Sequence, residues 1–190
     1  GTTGTGKPAD NATSDVTLIG RVNVSVTGNK AVKGAGVYAW DSDAYSKDSY
    51  VGGAYASAVI DNGGDLMFGL NTDPLIDAGY TTIDYAIHCR GDGTLGCWES
   101  NTAVGIIGAY SVGDVLAVVY DGSFVKYLRN GVVQRSVAAV VTSALYFDSS
   151  FATVGGSISN IRFGPMSSNA WAAIGGTGKP QDNATVGAPS

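Results

Sequence analysis

The 190-residue chain is 44% hydrophobic and 14% charged, and 16 acidic against 11 basic side chains leave a formal net charge of −5. That balance, without a basic stripe, argues against a surface for nucleic-acid phosphates or for an anionic membrane. No apolar run has the length of a membrane span, nothing reads as a secretory leader, and Gly1 in place of a Met leads us to expect an excised piece of a longer polypeptide.

The chain opens on GTTGTGKPADNATSD and closes on IGGTGKPQDNATVGAPS, so that Thr5-Gly6-Lys7-Pro8 and Asp10-Asn11-Ala12-Thr13 recur as Thr177-Gly178-Lys179-Pro180 and Asp182-Asn183-Ala184-Thr185. A polar motif repeated at both ends of a globular body points to tandem modules joined by a recurring connector. We therefore expect connectors at 1–15 and 171–190 around one β-sandwich domain at 16–170, the second leading to a next module. Each Pro fixes φ and lacks a donor, which disfavours helix in either motif. The GTGKP run lacks the spacing of a phosphate-binding loop.

Between the connectors, short apolar runs alternate with Gly-rich turns, the pattern of an all-β sandwich. Arg21–Val26 alternates, with Val22, Val24 and Val26 on one face, and Gly36–Trp40 follows. Asp41–Tyr55, DSDAYSKDSYVGGAY, reads as a polar, tyrosine-rich loop before strands at Ala56–Ile60 and Leu66–Leu70. Ile83–Cys89 and Leu95–Glu99 flank Arg90-Gly91-Asp92-Gly93-Thr94, and a turn centred on Gly93 would set Cys89 opposite Cys97; two reduced, packed thiols are the simpler reading. Val104–Ile107 comes next. Ala144–Phe147 and Ser157–Phe163 close the domain, the last with its alternation broken between Ile158 and Ile161.

The stretch from Ile107 to Arg135 is the most informative. Val115–Tyr120 is apolar at every position, as in a strand buried on both faces. Asp121-Gly122 supplies one turn, Phe124–Arg129 alternates, and Asn130-Gly131 is the signature of a two-residue hairpin with positive φ at both central residues. Val132–Gln134 returns along the partner, completing a β-meander.

Gly113-Asp114-Val115-Leu116, Tyr120-Asp121-Gly122, Val125-Lys126-Tyr127 and Asn130-Gly131 together resemble the core of SPRY-like and other concanavalin-type jelly-roll domains. The resemblance implies an antiparallel two-sheet β-sandwich of lectin type, a fold that hosts many functions. The terminal motif, in turn, resembles the short repeats between modules of bacteriophage tail fibres and tail-tip host-specificity proteins. That likeness implies a place in a virion, outside the cell.

Catalytic chemistry finds little support. Concanavalin-type glycosidases use paired glutamates, whereas Glu99 is the only glutamate here. His88 is the only histidine, Asp84 lies about 13 Å away along an extended strand, and a surface or satisfied role is expected for it. No nucleophile elbow and no paired transition-metal spacing occur. Asp41-Ser42-Asp43 and Asp61-Asn62 carry oxygen ligands that suit calcium, but they read as solvated turns. We expect no enzyme activity, no cofactor and no metal.

Binding remains. Sugars present apolar faces and hydroxyl edges, which aromatic platforms beside Asp, Asn and Arg can meet. Trp40, Tyr45, Tyr50, Tyr55 and Trp98 are the candidate ligand residues, with Tyr110 beside them, while Tyr38, Tyr85, Tyr120 and Tyr127 are expected in or near the core. The expected partners are a host cell-surface glycan or envelope receptor and neighbouring modules of the same fibre, with neither nucleic acid nor membrane insertion. A homotrimer would be held through other parts of the full-length protein. The alternative is a structural spacer that binds nothing itself.

Overall fold

Alternation and tight turns produce an all-β body. The computed structural model describes residues 16–166, so both connectors lie outside the described residues. The strands are β1 (Leu18–Arg21), β2 (Val24–Thr27), β3 (Lys30–Lys33), β4 (Asp43–Ser46), β5 (Ala54–Asn62), β6 (Leu66–Asn71) and β7 (Tyr85–Cys89), then β8 (Thr94–Glu99), β9 (Thr102–Ala109), β10 (Val115–Tyr120), β11 (Phe124–Arg129), β12 (Val132–Ala138), β13 (Tyr146–Phe151) and β14 (Ser157–Pro165).

One sheet has the order β12-β11-β10-β5-β14-β3-β2 and the other β13-β6-β7-β8-β9, with β1 and β4 as a separate pair. That pair continues the second sheet through side chains. The Ser149 hydroxyl accepts from Ala44 N (3.0 Å) and donates to Ala44 O (2.6 Å), and Ser46 Oγ accepts from Phe147 N (3.0 Å). The core fills the gap between the sheets: Ala56, Ile60, Leu116, Val118, Tyr127 and Phe163 from one face meet Leu66, Phe68, Ile87, Leu95, Phe147 and Phe151 from the other. Each of the larger side chains contributes about 1.5–3 kcal/mol by leaving water.

The meander forms as the sequence requires. Asn130 and Gly131 take φ of 49° and 80°, and Arg129 pairs with Val132. Asp114 ties this turn to the start of β10: its carboxylate accepts from Arg129 Nε (2.7 Å), Asn130 Nδ2 (2.6 Å) and Ser111 N (2.7 Å). The Gly-Asp of the jelly-roll motif therefore serves the fold. β10 is buried on both faces because Tyr55, Leu128 and Met166 pack over Ala117 and Val119 on the side away from the core.

Five expectations fail for physical reasons. Arg21–Val26 is not one strand: Val22 and Asn23 take φ of 40° and 60° and turn the chain from β1 to β2, which lie in different sheets. Gly36–Trp40 is irregular, whereas the expected loop Asp41–Tyr55 contains β4 and the first residues of β5. The β7–β8 hairpin centres on Asp92, with Arg90 N bonded to Thr94 O, so Cys89 faces Leu95 and Cys97 faces Ile87. Both thiols are free and buried. Finally, Tyr38 is 63% exposed, its hydroxyl donating to Asp65 Oδ2 (2.8 Å). In β14, a register shift between Ser159 and Arg162, with Asn160 at φ 48°, lets Ile158, Ile161 and Phe163 all face inward.

Candidate functional site

The outer face of the β13-β6-β7-β8-β9 sheet carries the arrangement most suited to a ligand. Alternation turns Met67 on β6 and Ala86 on β7 away from the core, and these join Ile83 in a separate apolar floor. Over it runs a line of aromatic rings. Trp40 lies 4.8 Å from Tyr80, and Tyr80 lies 4.8 Å from Trp98, with interplanar angles of 58° and 76°. His88 stands edge-on beneath Trp40 at 5.5 Å. Tilted and edge-on contacts of this kind let each ring's positive edge meet its neighbour's negative face. All three larger rings are half-buried, each leaving part of its surface to solvent.

Three chain segments bring the rings together. Trp98 projects from β8, directly opposite Ala86. Trp40 is held by a wholly buried lysine on the other sheet: Lys33 Nζ donates to Ala39 O (2.7 Å), Asp41 Oδ1 (2.9 Å) and Phe151 O (3.2 Å). Three acceptors satisfy the three ammonium donors, which makes such a burial tolerable. Tyr80 belongs to the long β6–β7 connection, residues 72–84, which is pinned by Thr72 donating to Asp84 Oδ2 through both its amide and its hydroxyl, and by Ser150 Oγ donating to Ala78 O (2.9 Å).

His88 is neither a surface nor a satisfied residue. It is buried, its Nε2 makes no hydrogen bond, and the 3.4 Å approach of Asp65 Oδ1 to that nitrogen is an ion-pair distance without hydrogen-bond geometry. Burial holds its pKa below the ordinary imidazole value, against the pull of Asp65.

Of the expected ligand residues, Trp40 and Trp98 meet through Tyr80, which the sequence reading passed over. Tyr45 lies on the same side of the sheet sandwich but at a separate groove beside Tyr146. Tyr50 packs on Phe163 at 5.2 Å and bridges to Leu145 by paired backbone bonds, which makes it part of the framework. Tyr55 is 1% exposed beneath Met166 and Leu128, so its ring has no face for a ligand. Tyr110 is a brace: its hydroxyl donates to Arg90 O (2.9 Å) and accepts from Gly64 N (3.2 Å).

The acidic groups are engaged elsewhere. Glu99 is gripped by Arg135 in a two-pronged pair (2.9 and 3.1 Å) that ties β8 to β12 across the two sheets. Asp41 is held by Lys33 and Ser42, Asp43 by Arg21, and Asp61 by Lys30 and Ser159. Lys33, Arg21 and Lys30 thus pair with the carboxylates of the two loops whose oxygens could suit calcium.

No protein-family model matches the chain, and no curated protein matches it significantly. Solved structures do. A human SPRY domain aligns with a TM-score of 0.57 at 12% identity, over 74% of this chain and 95% of that one. The SPRY domain of human HERC1 gives 0.54 at 16%, over 70% and 87%. The calcium-bound exoplasmic/lumenal domain of VIP36 gives 0.54 at 9%, over 78% and 82%. The likeness is one of fold. The protein is an antiparallel two-sheet β-sandwich of the concanavalin and SPRY jelly-roll type.

Proposed function

We propose that this lectin-like sandwich is a non-catalytic adhesion module that binds a host cell-surface glycan across the outer face of its β13-β6-β7-β8-β9 sheet. The observation that carries the reading is the line Trp40–Tyr80–Trp98. It offers a half-exposed aromatic surface on a rigid sheet, the kind of platform on which the apolar face of a sugar ring rests. Asp65 and Tyr38, beside Trp40, supply polar groups for the sugar's hydroxyl edge. The VIP36 domain is known in forms bound to Ca2+ with Man2 and with Man3GlcNAc, so sugar binding on this fold has a precedent in that protein.

The repeated terminal motif supports placing the module, 16–170, between connectors of a phage tail fibre or tail-tip protein, and hence in the virion outside the cell. The test is adsorption of the purified chain to host cells, before and after enzymatic removal of surface polysaccharide. Binding that falls on stripping, and falls again with Tyr80→Ala and Trp98→Ala while Tyr50→Phe retains it, supports the reading. Absence of binding by the wild-type chain overturns it in favour of a spacer between modules.

A further inference from the structure

The same side of the sandwich holds a second concavity that shares no lining residue with the aromatic line. It is a groove of about 520 Å3 between the β1–β4 pair and the start of the β6–β7 connection, walled by Ile19, Tyr45, Tyr146, Pro74, Leu75 and Ile76. Its size falls within the roughly 300–1,000 Å3 span of small-ligand sites.

The groove is preformed, and Arg21 is the reason. Its guanidinium lies over the Tyr45 ring, 5.0 Å from the centroid, and is held by Asp43 through Nε and Nη2. The same Nη2 donates to Pro74 O and Asp77 O, both at 2.6 Å. One side chain thus fixes both walls, the tyrosine on β4 and the loop opposite, and a ligand need not order either of them.

The lining sorts into two kinds of group. Tyr45, Tyr146 and Lys47 are among the lining residues, and their polar ends make no hydrogen bond to any described residue. Facing them are apolar side chains that no described residue covers: Leu75 is 67% exposed and Ile76 64%. An aliphatic chain would make no use of these three polar groups. An unsubstituted hexose would press its hydroxyls on Leu75 and Ile76 at the cost of their water.

We infer that this groove is a sugar subsite selective for a residue carrying a small apolar substituent, an acetyl group or a 6-deoxy methyl. The ring lies against the tyrosines, its hydroxyls meet Tyr45, Tyr146 and Lys47, and the methyl settles on Leu75 and Ile76. The inference rests on the glycan-binding reading and adds to it the class of sugar.

The experiment titrates the chain with the β-1,4-linked N-acetylglucosamine trimer, with L-rhamnose and with the β-1,4-linked glucose trimer, using saturation-transfer NMR and calorimetry. The acetyl and deoxy methyl protons should receive the strongest saturation, and the acetylated trimer should bind about tenfold more tightly than the glucose trimer, the worth of one methyl-sized contact in an apolar pocket. Ile76→Asp, at an exposed position that leaves folding intact, should erase that preference, and Tyr146→Ala should do the same. Arg21→Lys should weaken all three probes by loosening both walls. Equal affinity for acetylated and plain trimers overturns the inference, as does a failure of all three to bind. A preference that survives Ile76→Asp but is lost in Trp98→Ala also overturns it, while leaving the glycan reading, judged separately by cell adsorption, in place.

Discussion

The Trp98 ring stands edge-on to the Tyr80 ring, with centroids 4.8 Å apart and planes crossing at 76°. Through this contact a residue of the 72–84 connection is locked to a residue of β8, so the connection and the sheet present one surface. Tyr80→Ala removes two ring contacts, to Trp40 and to Trp98, each worth about 0.5–1.5 kcal/mol beyond burial. The expected result is a loss of about 2–3 kcal/mol in denaturant unfolding together with at least tenfold weaker glycan binding. Tyr80→Phe keeps the rings and should retain both.

Tyr55 makes the opposite case. Its hydroxyl is buried without a hydrogen-bond partner, and burial pushes its pKa far above the ordinary phenol value. Tyr55→Phe should therefore leave stability unchanged or raise it by about 1 kcal/mol, because an unsatisfied polar atom is removed. Tyr55→Ala should cost about 3–5 kcal/mol through the cavity under Met166 and Leu128. Neither change should alter ligand affinity. Equilibrium unfolding of the two variants, with binding measured in parallel, checks both statements.

Asp148 should make stability depend on pH. Desolvation pushes its pKa well above the ordinary carboxylate range and Asp43 adds to the rise, whereas bonds from Asn71 Nδ2 (2.7 Å) and Ser149 N (2.8 Å), with the charge of Arg21, oppose it. A carboxyl whose folded pKa is raised binds its proton more tightly in the native state. Its stabilising contribution is thus complete below the unfolded value of about 3.9 and is lost as pH rises through the folded pKa. The difference in unfolding free energy between wild type and Asp148→Asn should be flat below about pH 4 and should then move against the wild type by at most about 1.4 kcal/mol per pH unit. Denaturant titrations of both proteins at successive pH values measure that difference.

The two cysteines should be inert while the protein is folded. Burial pushes the Cys97 thiol up to about 11 and raises that of Cys89 further, so little thiolate forms at neutral pH. Iodoacetamide at about pH 8, just under the ordinary thiol value of about 8.5, should leave the intact mass unchanged in buffer and add two groups in guanidinium. A mixed outcome, with one thiol modified in the native protein, would show local opening of β7 if the thiol is Cys89 and of β8 if it is Cys97.

The elements legible in the sequence were those whose signal is local. Val115–Tyr120 and the Asn130-Gly131 turn could be read directly, because burial on both faces demands an unbroken apolar run and a primed turn demands residues that tolerate positive φ. The Gly113-Asp114 motif likewise marked a sandwich of jelly-roll type. Trp40 and Trp98 were legible as candidates by residue type alone.

What the tertiary structure decided was which aromatic rings meet and which are covered. Tyr80 lies in a connection without periodicity, and only the folding of residues 72–84 over Met67 and Ala86 places it between two tryptophans. Tyr55 ends the tyrosine-rich stretch Asp41–Tyr55, which reads as an exposed loop, yet Met166 and Leu128, distant in sequence, close over it. Lys33 shares its strand face with the buried Ala31, where a lysine is out of place, and its burial becomes acceptable only where Ala39 O, Asp41 and Phe151 O converge on its ammonium. A period-two pattern tells which side of a strand a residue occupies, but not whether another segment will cover that side. Backbone conformation is settled by neighbours in sequence, whereas exposure is settled by neighbours in space.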